Sequence, residues 1–314
     1  MNTSVNGSRD SIPLNPLGGK IGKTFAYILI FVVSLVGNLF IAMVVFKTKK
    51  LRRPINFFIV NMAMSDLLSP IFLFPSELTK LYAGSWLISG PFGQALCKLV
   101  PFLADVSAAV SIQSLVLIAG DRFVAVVFPL RSPLISPKLC PFFILVTWVF
   151  SMAFCWPYLF AQIGQLYCEM QWNNAFEEPS STEKFFFITF FVLRYIAFAL
   201  LIILYSVILI KLKSQKIPGE QSVNAEQQRA RRNRNVLKMA IAIVLGFALC
   251  WLPFSFFSLQ MFFANDSRLV HYWSITRFMA FSNGAINPCI CFIFSGNYRQ
   301  GFKNLFTGFR AVQE

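Results

Sequence analysis

Apolar residues in this chain come in long unbroken runs, separated by short polar links. A helix that crosses ~30 Å of hydrocarbon needs ~20 such residues. Runs of that length cover about 25–46, 55–78, 96–127, 142–163, 185–210, 236–263 and 272–294. In lipid every backbone polar group must be satisfied internally, so runs this long predict helices. Beyond the last run, Phe302, Leu305, Phe306 and Phe309 stand against Arg299, Lys303 and Arg310, the pattern of a helix lying in the interface. The expected fold is an all-α membrane protein, a seven-transmembrane helix bundle with a short cytoplasmic amphipathic helix. Its expected divisions are an N-terminal segment at 1–23, the bundle at 24–295, and the surface helix and tail at 296–314. No internal repeat is visible.

Composition agrees. Only 13% of the residues are charged, about half the share usual in a soluble domain. A net charge of +15 would suggest nucleic-acid binding in a soluble protein. Here the basic residues gather in alternate links: Lys47, Lys49, Lys50, Arg52 and Arg53, then Arg131 and Lys138, then Lys211 to Arg234, then the tail. That asymmetry puts those links inside and the N-terminus outside, and it removes nucleic acid as a partner. The first twenty residues lack the short apolar core of a cleavable leader, so the first run is expected to act as an uncleaved anchor. The glycosylation triplets at Asn2, Asn6 and Asn265 all fall on the outer side. Of the cysteines, only Cys97 and Cys168 lie at the oxidising face. They can pair there; the alternative is two free thiols.

Short motifs recur on successive runs. Gly37-Asn38 lies on the first, and Asn61 leads to Asp66 on the second. Trp86 precedes Cys97, which opens the third; Asp121-Arg122-Phe123 closes it, and Pro129-Leu130 follows. Trp148 marks the fourth, Phe247 and Cys250-Trp251-Leu252-Pro253 the sixth, and Asn287-Pro288 the seventh. This ordered set resembles the rhodopsin-like G-protein-coupled receptors over nearly the whole chain. Within that family it is most similar to neuropeptide receptors, such as those for neuropeptide Y, neuropeptide FF or galanin. The resemblance implies a plasma-membrane receptor for an extracellular peptide. Its partners would be a heterotrimeric G protein, arrestin and the lipid bilayer.

The resemblance also assigns roles. Asp121, Arg122, Leu130, Tyr205, Pro253 and Pro288 would serve coupling and activation, with Arg122 swinging towards Tyr205 as the inner ends part. Asn38, Ser111, Asn283 and Asn287 would gather around Asp66. These oxygens suit a small hard cation, and sodium is the only cofactor expected; the alternative is a protonated Asp66 without an ion. Gly284 stands where a hydroxyl often assists. Three positions depart from the family pattern: Ala197 replaces a proline, Phe123 a tyrosine, and Cys291 the tyrosine two residues after Cys289. The last departure predicts a weakened open state, low ligand-free output and a gain on Cys291→Tyr.

The outer ends carry Glu77, Asp105, Arg194 and Arg277, and ionisable groups at membrane depth default to functional sites. With Trp251 and Phe254 they form the expected ligand pocket; the alternative is mutual pairing, such as Glu77 with Arg277. A lone histidine, His271, and no nucleophile beside a base argue against an enzyme. Two other readings are a non-signalling ligand-binding protein and a transporter. The second would show paired broken helices or repeated halves.

Overall fold

The computed structural model describes residues 16–84, 86–128, 134–160, 162–163, 170–171, 179–214, 223–264 and 269–310. The first crossing is α1 (Pro16–Lys47), followed by a 3-10 turn at Lys49–Leu51. The second is α2 (Pro54–Asp66) and α3 (Phe74–Ala83), joined through a π-helical turn at Ser69–Leu73. The third is α4 (Gly90–Val127), and the fourth is α5 (Cys140–Cys155) with α6 (Pro157–Phe160). A two-residue antiparallel pair, β1 (Gln162–Ile163) and β2 (Met170–Gln171), follows. The fifth and sixth crossings are α7 (Pro179–Ser214) and α8 (Val223–Ala264). The seventh is α9 (Val270–Phe281) with α10 (Asn283–Phe294), and α11 (Gly296–Arg310) closes the described chain.

Six helical stretches are individually long and apolar enough to cross a membrane. The seventh is split into two 12-residue helices, each short of the ~20 residues a crossing needs. Ser282 between them keeps right-handed backbone (φ −74°, ψ −10°), so the two continue as one crossing. The apolar surface faces outward along its length: Leu29, Phe142, Val149, Ile202 and Leu249 are all exposed. In water such a surface would drive aggregation; in lipid it costs nothing. The innermost crossing is α4, which packs on α2, α5 and α7.

One departure from the expected continuous helices has a local cause. In the second crossing, Pro70 removes a backbone donor, and the chain widens into a π turn that begins one residue earlier. The extra residue in that turn rotates α3 relative to α2, which sets the direction of Glu77. At the N-terminus, α1 starts at Pro16, inside the segment expected to end at residue 23. Glycosylation sites Asn2, Asn6 and Asn265 lie outside the described residues, as do Leu130 and Cys168.

Glycine fixes the α1–α10 contact. A Cβ on Gly37 would lie 2.6 Å from Pro288 Cβ, far inside contact distance. Asn38, the next residue, donates through Nδ2 to the Gly284 carbonyl at 2.8 Å. That carbonyl lies four residues before Pro288, which has no N–H to offer it. The Gly-Asn pair on α1 and the Asn-Pro pair on α10 are therefore two halves of one joint. Gly37→Ala should lower the thermal unfolding midpoint of the solubilised chain, by the equivalent of ~1–3 kcal/mol for overpacking. An unchanged midpoint would mean that α1 and α10 are not held this closely.

Candidate functional site

Polar clusters lie at several successive depths. In the middle, Asp66 ends α2 and is fully enclosed. Ser111 Oγ donates to Asp66 Oδ1 at 2.9 Å, and Asn287 Nδ2 donates to Oδ2 at 2.7 Å. Ser65 joins through a hydroxyl pair with Ser111 at 3.1 Å. Asn38, expected beside Asp66, instead holds the Gly284 carbonyl and Ser34, whose carbonyl accepts at 2.8 Å. The carbonyl exposed by Pro288 captures its amide. The side-chain oxygens of Asn38, Asn283 and Asn287 are buried with no hydrogen-bond partner among the described residues. Gly284 is packed tightly here: a Cβ would sit 2.9 Å from Ser34 Oγ and 3.2 Å from the Asp66 carbonyl, so a larger residue needs its neighbours to shift.

Below Asp66, a tight network braces α2, α4 and α5. Asn61 donates to Ser114 Oγ at 2.9 Å and to Thr147 Oγ1 at 3.1 Å, and accepts from Trp148 Nε1 at 2.8 Å. Three of the four hydrogen bonds that the Asn61 side chain can make are formed within the bundle, which fits bracing rather than binding.

The outer half carries two acid–base groupings. Arg277 Nη2 meets Glu77 Oε1 at 3.0 Å, with Lys80 at 4.0 Å from the same oxygen. The Arg277 guanidinium also stands 5.0 Å from the Trp273 ring and 5.3 Å from Phe281. Deeper in, Tyr158 donates to Asp105 Oδ2 at 2.5 Å. Arg194 is buried, acts electrostatically on Asp105, and lies 4.3 Å over the Trp251 ring. Trp251 belongs to an aromatic column: Phe247 stacks at 6.0 Å, Phe254 meets it edge-on at 5.9 Å, and Phe281 at 6.5 Å. Pro253 lies inside α8 two residues on. The pairing of Glu77 with Arg277, one of two open readings of the sequence, is the one found. Tyr158 was not anticipated, because nothing in its own span marks it as a carboxylate partner.

At the inner end, Arg122 pairs with Asp121 on the same helix. Tyr205 on α7 is buried, and its hydroxyl has no hydrogen-bond partner among the described residues. Phe123 packs edge-on against Phe128 at 6.2 Å. Cys291 is fully buried and free, and Tyr298, on α11, is fully buried in the same cluster. Tyr298 thus supplies an aromatic ring beside the site of the missing tyrosine. Cys97 is disulfide-bonded, while Cys140, Cys155, Cys250, Cys289 and Cys291 are free thiols.

Comparison with known proteins gives this geometry a family. Residues 37–290 match the family described as 7 transmembrane receptor (rhodopsin family). The chain is 31% identical over 302 residues to a RYamide receptor of Drosophila melanogaster, covering 91% of this chain and 63% of that protein. It is 30% identical over 307 residues to a QRFP-like peptide receptor of Branchiostoma floridae, covering 92% of this chain and 78% of the relative. It is 29% identical over 316 residues to the substance-P receptor of Mus musculus, covering 97% and 75%. None of these is an enzyme by description. With a match spanning both the Asn38 and Asn287 halves of the α1–α10 joint, the chain belongs to the rhodopsin family of seven-transmembrane receptors.

Proposed function

We propose that this protein is a receptor for an extracellular peptide that activates a heterotrimeric G protein from the plasma membrane. The observation that carries the reading is Arg194 stacked on Trp251. It joins the outer charged cluster to the proline-bearing sixth crossing. A desolvated cation–π contact is worth ~2 kcal/mol. A ligand that engages Arg194 or Asp105 therefore changes what holds the Trp251 ring, next to the break that Pro253 makes in α8's hydrogen bonding. The ligand pocket comprises Glu77, Asp105, Arg194, Trp251, Phe254 and Arg277. Its acids and arginines balance each other, which suits a ligand that presents both donors and acceptors, as a peptide does. The relatives named for RYamide, QRFP-like peptide and substance P support the ligand class.

At the inner end, Asp121, Arg122, Leu130, Tyr205, Pro253 and Pro288 serve activation. The Tyr205 hydroxyl, buried without a described partner, is an acceptor in reserve for Arg122 when spans five and six separate. The same inner face serves arrestin. The N-terminus is outside, Cys97 pairs with Cys168, and Asn2, Asn6 and Asn265 carry glycans. A non-reducing peptide map of membrane-expressed protein should contain the Cys97–Cys168 link and glycans at those positions; free Cys168 thiol in folded receptor would refute the pairing.

Asp66, Ser111, Asn283 and Asn287 fit a sodium ion. The fit rests on the buried carboxylate together with the buried, unpartnered Asn283 and Asn287 oxygens, a hard oxygen set suited to a hard cation. Bound there, sodium would neutralise the carboxylate and favour the arrangement that encloses it. Replacing sodium by a bulky organic cation should raise ligand-free nucleotide exchange in the native chain and leave Asp66→Asn unaffected. Equal responses in both would sink the assignment.

The function itself is tested by a peptide-library screen read as nucleotide exchange on a panel of G proteins. Arg122→Ala should keep surface expression and peptide binding but abolish exchange; full exchange in that variant would overturn the reading. In the same screen Arg194→Ala should raise the half-maximal peptide concentration about tenfold or more, from loss of a charge-assisted bond to the ligand worth ~1.5–3 kcal/mol.

A further inference from the structure

Tyr298 stands on the surface helix α11, yet it has 0% exposure. Tyrosine usually keeps its hydroxyl wet or bonded. Here the hydroxyl donates to Asn56 Oδ1 at 3.3 Å. Asn56 lies at the cytoplasmic start of α2, itself buried, with Nδ2 donating to the Leu51 carbonyl at 2.7 Å. That second bond fixes which way the amide faces, so its oxygen is the end turned to Tyr298. Burial, and the Cys291 thiol nearby, push the Tyr298 phenol well above its ordinary value. The hydroxyl therefore stays protonated and acts as a donor throughout the physiological range.

The position of α11 does not depend on this bond. A Cβ on Gly301 would lie 2.5 Å from Val44 Cγ1, and Phe302 meets Phe40 at 5.0 Å and Phe292 at 5.3 Å. Those contacts seat the helix against α1 and the end of α10. The Tyr298 ring, by contrast, reaches inward to the cluster that contains Cys291, and its hydroxyl reaches the base of α2. Packing would be served as well by phenylalanine. The hydroxyl adds one thing only, a tie between the inner end of the seventh crossing and the first cytoplasmic turn.

We propose that Tyr298 is the resting-state latch of this receptor: its ring fills the space beside Cys291, and its hydroxyl on Asn56 holds the inner end of α10 against α2. The tyrosine missing from position 291 is thus replaced in part by one on α11, with the opposite bias. A tyrosine on the seventh crossing would help hold the open state, whereas Tyr298 holds the closed one. Opening pulls the Cys291 region away from α2 and breaks the bond, leaving Asn56 Oδ1 buried without its donor.

The test uses the full chain in lipid nanodiscs. Tyr298→Phe keeps the ring and removes only the bond. It should raise ligand-free nucleotide exchange on the G-protein panel, at matched receptor amount, by roughly two- to tenfold, the range for one buried hydrogen bond. Asn56→Ala should raise it too, and the double variant should show no further increase. Amide exchange is the second readout and needs neither ligand nor G protein. Tyr298→Phe should speed it at residues 51–58 and at 288–294 together, while 299–304, seated by Gly301 and Phe302, stays protected. An unchanged amide-exchange pattern, or additive effects of the two substitutions on nucleotide exchange, would overturn the latch and leave Tyr298 as a packing residue.

Discussion

A proline in the middle of a membrane helix creates a debt that lipid cannot cover. Pro288 withholds a donor from the Gly284 carbonyl, and in hydrocarbon an unsatisfied carbonyl costs several kcal/mol. Asn38 covers it from another helix at 2.8 Å, and it reaches only because Gly37 lets α1 approach Pro288 without a side chain between them. Around this joint the remaining polar groups fall into place. Asn287, next to the proline, turns its amide to Asp66, which also accepts from Ser111. First, second, third and seventh crossings are tied at one depth through a handful of side chains. A helix bundle in lipid gains little from hydrophobic association, so these bonds and close contacts carry much of its specificity.

Hydropathy made the crossings legible, because each exceeds the length that lipid demands. The breaks within them were not legible. The π turn at Ser69–Leu73 and the division at Ser282 alter hydrogen bonding but leave the apolar run intact. The motif positions were readable as positions, yet their contacts depended on competition. Asn38 was expected at Asp66, but the carbonyl exposed by Pro288 outbids a carboxylate that Ser111 and Asn287 already serve. The bonds of Tyr158 and Tyr298 were not legible for a related reason: each is made with a partner on a distant segment, Asp105 and Asn56 respectively. A single sequence holds no record of such pairings.

The outer half sets a different constraint. Arg194 is buried beside Asp105, to which Tyr158 donates, whereas Glu77 and Arg277 pair with side-chain exposures of 15% and 26%. Stranding a buried charge costs ~3–5 kcal/mol, and opening the part-exposed pair costs less. On the reading proposed above, a ligand that inserts here would have to replace each contact that it displaces, which would favour ligands with several polar groups at fixed spacing. Because Arg194 is also the group on the Trp251 ring, exchanging its partner is felt at once by the sixth crossing.

The inner end sets a cost on any rearrangement of Arg122. Asp121 has 3% side-chain exposure and Arg122 21%, so their pairing is largely shielded. Moving Arg122 to Tyr205 strands a buried carboxylate, at ~3–5 kcal/mol if nothing replaces the guanidinium. Coupling between two sites in one protein typically supplies ~1–3 kcal/mol. A bond from Arg122 to the Tyr205 hydroxyl would return ~1.5–3 kcal/mol, so the two contributions together span the cost and, on the reading proposed above, leave the closed and open arrangements close in free energy. A partner that supplied its own contacts to the freed arginine would tip that balance, and by thermodynamic reciprocity it would tighten the ligand by the same factor by which the ligand tightens it.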